Sequence, residues 1–230
     1  MPTLHVLKVF AGEDGKGNPT GGNPLGVFLD GGAIPGANRQ SVAAELGFSE
    51  TVFVDDRRTA ALRIFTPAAE LPFAGHPLVG TAWLLAREGE EAEMLRPPPG
   101  EVPVRREGGI TYISGKPEWA PPFEHVEYAS PEEVDALDGS PGGLGHAGAW
   151  AWDNETAGKV RARVFVPALG VPEDEATGSY AVRLCASLGR PLTIRQGVGS
   201  RIEARPLPDG SVEIGGKVEA VEEREFEVKE

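Results

Sequence analysis

A pattern that occurs twice, 100 residues apart, restricts the possible folds of this chain more than any other feature. The first copy reads RIFTPA at residues 63–68 and the second reads RVFVPA at residues 163–168. Both copies continue into an apolar helix, and the second gains three residues on the way. Because the match extends over about twenty positions, it predicts two similar lobes that face each other about a pseudo-twofold axis.

The repeat also brings two helix starts into register. Gly75-His76 in the first copy falls beside Gly178-Ser179 in the second. The first N–H groups of a helix have no partner within it and carry a partial positive charge, so a helix start binds anions. We expect His76 and Ser179 to cap the two helices and the shared cleft to bind a small carboxylate. Ordinary capping without a ligand is the alternative.

The remaining sequence favours an α+β protein in which strands outnumber helices. Gly and Pro make up 31 and 21 of the 230 residues, which is typical of many turns and short strands. We predict an N-terminal lobe at 1–117 and a C-terminal lobe at 118–230, each a mostly antiparallel sheet or barrel wrapped around a central helix. The boundary falls in the aperiodic segment at 117–158, and the last strand, at about 224–230, returns to the first lobe.

Charge and composition exclude several classes of function. The net charge of −13 leaves no basic patch for nucleic acid. The single cysteine, Cys185, excludes an internal disulfide and a multi-thiolate metal site. His5, His125 and His146 lack ligand spacing, so no metal is expected. Neither a secretory signal nor a membrane span is recognisable, which predicts a cytoplasmic protein.

Three side chains are candidates for acid–base chemistry in the cleft. Glu50 lies where a loop enters a strand, His76 is at a glycine-flanked helix start, and Asp174 precedes the second helix. A carboxylate beside a histidine in an apolar cleft has a shifted proton affinity, which suits proton transfer. The alternatives are a surface acid for Glu50 and a loop acid favoured by the helix dipole for Asp174.

Several motifs together resemble the PhzF-like family of phenazine biosynthesis, which has the diaminopimelate epimerase-type fold. They are GGNPLGVF at 21–28, AAELGFSETVFV at 43–54, RIFTPAAELPFAGHPLVGTA at 63–82, EDEATGS at 173–179, QG at 196–197 and EIGGKVEAV at 213–221. The resemblance covers nearly the whole chain. It implies a cofactor-independent isomerase that forms a homodimer.

The resemblance also implies roles for individual residues. Glu50 would move a proton between carbons of an unsaturated carboxylic acid, with His76 and Asp174 as its catalytic partners. The substrate-binding residues would be Gly75, Gly178, Ser179 and Asn23. No residue is assigned to a metal or a cofactor.

Two departures from related proteins bear on the chemistry. Related epimerases and proline racemases place one thiol at each helix start, where this chain has Ala74 and Thr177, so two-thiol racemisation is excluded. Tyr180 replaces a small residue, which predicts a narrower pocket. Two alternatives stay open: a non-catalytic metabolite-binding or regulatory protein on the same scaffold, and an epimerase with carboxylate bases.

Overall fold

The structure is a computed structural model that describes residues 1–228. Its α-helices are α1 (Gly36–Leu46), α2 (Gly75–Arg87), α3 (Pro131–Asp135) and α4 (Gly178–Leu188). Its strands are β1 (Thr3–Glu13), β2 (Pro19–Thr20), β3 (Asn23–Phe28), β4 (Glu50–Asp56), β5 (Ala61–Phe65), β6 (Glu70–Leu71), β7 (Met94–Leu95), β8 (Val102–Glu107), β9 (Ile110–Gly115), β10 (Glu124–Glu127), β11 (Ala147–Asn154), β12 (Lys159–Val166), β13 (Val171–Asp174), β14 (Leu192–Gln196), β15 (Ser200–Pro206) and β16 (Val212–Glu225). This excess of strands over helices confirms the predicted α+β class.

The strands divide into two sets that share one long strand. One set runs β16-β1-β3-β4-β5-β6 and the other runs β10-β11-β12-β14-β15-β16, with β8 and β9 joined to the second set. In β16, residues 212–216 pair with β9 and residues 217–225 pair with β1. The sequence-based division at residue 117 stays a prediction. Residues 229 and 230 of the predicted returning strand lie outside the described residues.

The two copies of the repeat form the same local structure. The hairpin of β5 and β6 leads into α2, and the hairpin of β12 and β13 leads into α4. An arginine on the first strand of each hairpin pairs with a glutamate on the second: Arg63 with Glu70, and Arg163 with Glu173. The pseudo-symmetry predicted from the sequence is therefore present in the fold.

The two long central helices are buried for the same reason. Helix α2 is apolar around most of its circumference, and ten of its 13 residues are buried. A helix that is hydrophobic on all sides requires cover on all sides. Helix α4 buries six of its 11 residues in the other half of the molecule. Among the described residues, no helix is long and apolar enough to cross a membrane.

Candidate active site

The first residues of α2 and α4 lie against each other, because both helices begin with glycine. A Cβ atom on Gly75 would lie 2.7 Å from the Cα atom of Gly178, and one on Gly178 would lie 2.8 Å from the Cα atom of Gly75. Any larger residue at either position would force the helices apart. The positive ends of the two helix dipoles therefore meet at one place, where they favour an anion.

The residues at these helix starts differ from the sequence-based expectation. The N-cap positions are Ala74 and Thr177, and in the described part of the chain neither side chain makes a capping hydrogen bond. His76 and Ser179 are the second residues of their helices, so the prediction that they act as caps is wrong. Backbone N–H groups that a cap would engage remain available to a ligand.

Glu50 and His76 form a close pair beside this junction. The parallel pairing of β3 with β4 holds Glu50 opposite Leu25, and the Glu50 Oε2 atom lies 3.2 Å from the His76 Nε2 atom. The side chains are 15% and 4% exposed. Within residues 1–228 neither of these two buried atoms has an aligned hydrogen bond. Buried polar atoms in that condition are typical of catalytic or ligand-binding sites.

Burial moves the proton affinities of this pair in opposite directions. Loss of solvent raises the pKa of Glu50 from 4.5 to about 7, because the ionised form is poorly solvated. The same loss lowers the pKa of His76 to about 4, although the negative charge of Asp174 opposes the change. Near neutral pH, Glu50 can therefore hold or release a proton while His76 is uncharged.

Asp174 reaches the same site from the other copy of the repeat, at the end of β13. Burial raises its pKa to about 6, and the charge of Glu50 contributes in the same direction. The Thr177 hydroxyl donates to Asp174 Oδ2 at 2.6 Å, and the Asn23 amide donates to Oδ1 at 2.7 Å. The structure thus brings Glu50, His76 and Asp174 into one electrostatic cluster.

The remaining predicted site residues surround this cluster. Asn23 is 2% exposed and donates to Asp174 of the second copy of the repeat. Gly75 and Gly178 form the helix junction, and Ser179 follows it as a half-buried residue. The two largest cavities described, of about 520 and 450 Å³, are lined by other residues. The cluster therefore lies outside both cavities, beside the junction where the two copies of the repeat meet at Gly75 and Gly178.

Gln196 is a site residue to which the sequence assigned no role. It is fully buried, and its Nε2 atom donates to the Asp174 carbonyl at 2.8 Å and to the Thr177 hydroxyl at 2.9 Å. Its Oε1 atom accepts from the Thr177 N–H at 3.1 Å. The QG motif at 196–197 was the only signal in the sequence. A contact across about twenty residues of chain could not be inferred from it.

The side chain of Tyr180 does not lie where the sequence-based expectation placed it. It is fully buried, its ring packs edge-on against Phe123, and its hydroxyl donates to the Gly148 carbonyl at 3.3 Å. Its side chain therefore belongs to the core around α4. The prediction that Tyr180 narrows the pocket is therefore wrong. Nothing in the sequence indicated that residues 123 and 148 lie beside Tyr180.

The fold and the buried acid–base cluster define the class: an α+β protein of the diaminopimelate epimerase-like fold. A hydroxyproline epimerase from Agrobacterium vitis shares this fold at a TM-score of 0.62, with 12% identity over 97% of this chain and 91% of that one. A Clostridium difficile protein of the phenazine biosynthesis PhzC/PhzF type superposes with a TM-score of 0.79. It is 21% identical and covers 99% of this chain and 100% of its own.

Sequence comparison identifies the family. The profile of the phenazine biosynthesis-like proteins, PhzC-PhzF, matches residues 9–140. The trans-2,3-dihydro-3-hydroxyanthranilate isomerase of Pseudomonas aeruginosa is 33% identical over an alignment of 268 positions, gaps included, which covers 92% of this chain and 94% of that protein. The chain belongs to the PhzC-PhzF family, and these findings place it among the family's isomerases. The resemblance found in the sequence motifs is confirmed.

Proposed function

We propose that this protein is a cofactor-independent isomerase that moves a proton between two carbons of a small unsaturated carboxylic acid. The observation that carries the proposal is the buried contact of 3.2 Å between Glu50 and His76 beside the junction of two helix starts. The pair of Glu50 and His76 supplies a group that can accept and return a proton. The junction of the two helix starts supplies a place for the carboxylate of the substrate.

Substrate binding would rely on backbone groups more than on charged side chains. The N–H groups at the starts of α2 and α4 converge at Gly75 and Gly178, and their combined dipoles favour a carboxylate. Such a site can attract an anion even in a chain with a net charge of −13. The first compound to test is trans-2,3-dihydro-3-hydroxyanthranilate, the substrate named for the Pseudomonas aeruginosa relative.

The proposed reaction balances without an oxidant or reductant. In the molecules in which Glu50 is ionised near pH 7, its carboxylate removes a proton from one carbon, and the C–H electron pair enters the conjugated system. The double bond then shifts, and Glu50 returns the proton to a second carbon. A carboxyl group with a pKa of about 7 suits both steps near neutral pH. Uncharged His76 and ionised Asp174 would orient the substrate and polarise it.

Isotope transfer tests this assignment. Turnover of the candidate substrate in deuterated water is expected to place deuterium on the carbon that receives the proton, in those turnovers in which the Glu50 carboxyl exchanges with solvent before it returns the proton. Glu50→Gln is expected to abolish that transfer, since the amide keeps the shape but cannot act as a base. Glu127→Gln is the matched control, because Glu127 is exposed on strand β10.

The outcomes separate the alternatives. Deuterium transfer that survives in Glu50→Gln would contradict the role of Glu50. Binding that Glu50→Gln leaves intact, with no turnover by the unchanged protein, would indicate a metabolite-binding protein. Exchange at one carbon with inversion and no shift of the double bond would indicate an epimerase with carboxylate bases.

We also propose a homodimer, on the family resemblance alone. The chain has a mass of 24.3 kDa, so sedimentation equilibrium would report twice that mass for a dimer. A mass of one chain at micromolar concentration would contradict the proposal.

A further inference from the structure

Asn23 is a fully engaged polar side chain next to the acid–base cluster. Its Nδ2 atom donates to Asp174 Oδ1 at 2.7 Å and to the Ala176 carbonyl at 2.9 Å. Its Oδ1 atom accepts from the Ser49 hydroxyl at 2.9 Å. A primary amide has two N–H donors, and both are used within the protein. No donor of Asn23 remains for a substrate, which argues against the substrate-binding role that the family resemblance implied.

The contacts of Asn23 link Asp174 to the residue before Glu50. Ser49 immediately precedes Glu50, and Asp174 lies 151 positions further along the chain than Asn23. With an exposed fraction of only 2%, the side chain of Asn23 has no water to compete for these bonds. Asn23 therefore sets the position of Asp174 relative to the strand that carries Glu50.

Two carboxyl groups in a desolvated site cannot both ionise at low cost. The charged or titratable groups that act on Asp174 are Glu50 and His76. Its sequence neighbours are engaged elsewhere: Glu173 pairs with Arg163, and Glu175 accepts from Ser200. The question is therefore which of Glu50 and Asp174 holds the proton.

The hydrogen bonds of Asn23 favour one answer. The Asn23 N–H group donates a hydrogen bond, which stabilises an ionised carboxylate. It cannot accept a hydrogen bond from a protonated carboxyl group, so its bond to Oδ1 favours ionised Asp174. The Ser49 hydroxyl donates to the Asn23 Oδ1 atom, which keeps the amide turned with its N–H groups toward Asp174. Both contacts favour Asp174 as the anion.

We propose that Asn23 is a positioning residue that keeps Asp174 ionised, so that the proton which moves during the reaction is carried by Glu50. The meaning of this inference for catalysis rests on the proposed function. The location of the proton, however, is measurable without any substrate.

The test is a ¹³C NMR titration of the carboxyl groups in Asn23→Leu, a replacement of similar size without hydrogen bonds. Signals are assigned with Glu50→Gln and Asp174→Asn. The apparent pKa of Asp174 is expected to rise by about one pH unit, because one charge-assisted hydrogen bond is lost. The apparent pKa of Glu50 is expected to fall, since its neighbour Asp174 is less often ionised.

Ser200→Ala is the matched control for a general loss of packing when a buried hydrogen bond near Asn23 is removed. Ser200 is fully buried and accepts from the Gly22 N–H at 2.8 Å, but it does not touch Asp174. Without the Ser200 hydroxyl, Glu175 still accepts from the Val198 N–H at 3.1 Å and so stays engaged. This control is expected to leave both titrations unchanged. If Asn23→Leu does not fold, Asn23→Ser, a smaller polar replacement, is measured in its place.

Unchanged titration of Asp174 in the folded Asn23 variant would overturn the inference, as would an equal shift in Ser200→Ala. In a kinetic assay, Asn23→Leu is expected to lower kcat at least tenfold with little change in KM, since substrate contacts are retained. If the unchanged protein turns over no candidate but the titrations shift as stated, the proposed function fails and the role of Asn23 stands.

Discussion

Replacing Glu50 by Gln is expected to make the folded protein more stable at alkaline pH. The fold raises the pKa of Glu50 from 4.5 to about 7 by removing water from its carboxyl group. Between these two pH values the folded protein keeps a proton that the unfolded chain has lost. Stability therefore falls as pH rises through this window, and the loss is complete above about pH 7.

The size of the effect follows from the displacement of the pKa. The pKa rises by about 2.5 pH units, and each unit corresponds to about 1.4 kcal/mol. Ionised Glu50 thus costs the folded state about 3 kcal/mol above pH 7 and nothing below pH 4.5. For a chain of this size, this corresponds to a rise in Tm of roughly 6–12 °C for Glu50→Gln. Asp174 adds in the same direction, because it loses a repulsive neighbour.

Urea unfolding of both proteins at pH 4.5 and pH 8.5 measures this difference. Comparing the variant with the unchanged protein at each pH cancels the titration of groups outside the cluster. Glu127→Gln, on the exposed edge strand, should show the same free energy of unfolding as the unchanged protein at both pH values. If Glu50→Gln differs from the unchanged protein by the same amount at both pH values, the carboxyl of Glu50 is not desolvated as described.

Three further substitutions test the packing around the site. Gly75→Ala is expected to destabilise the protein by about 1–3 kcal/mol, because the added methyl group would collide with Gly178. Gly36→Ala, also at the first position of a helix, meets open space and should be neutral or stabilising. Urea unfolding of both variants measures the difference. Gln196→Leu leaves buried partners without hydrogen bonds and should lower the free energy of unfolding by at least about 2 kcal/mol. A smaller loss in thermal unfolding would contradict the stabilising role of these hydrogen bonds. Tyr180→Phe removes one hydrogen bond in the core, so about 1 kcal/mol of stability should be lost while kcat and KM stay unchanged.

Much of the fold could be predicted because the information is local and repeated. Each copy of the repeat carries its own strand pattern, turn residues and apolar helix, so the order of elements follows from neighbouring residues. The exclusion of two-thiol chemistry needed only the identity of Ala74 and Thr177. The choice of Glu50, His76 and Asp174 needed residue type, position relative to a helix start and the family resemblance.

Local sequence failed where a side chain's surroundings come from distant parts of the chain. Helix capping depends on backbone angles at the first turn, and these place Ala74 and Thr177 at the N-caps. Tyr180 looked like a pocket residue because its neighbours at 123 and 148 are remote in the sequence. The same holds for Gln196, whose partners lie on another strand-and-helix unit.

By itself the sequence determined that this is a duplicated α+β chain with two glycine-led helix starts and the chemical groups for acid–base work. Only the tertiary structure decided the protonation states of those groups. A proton affinity depends on how much water is removed and on which charges stand nearby, and the fold sets both by bringing distant residues together. Asn23, an ordinary amide in the sequence, is likewise placed by the fold between Asp174 and Ser49, the residue before Glu50.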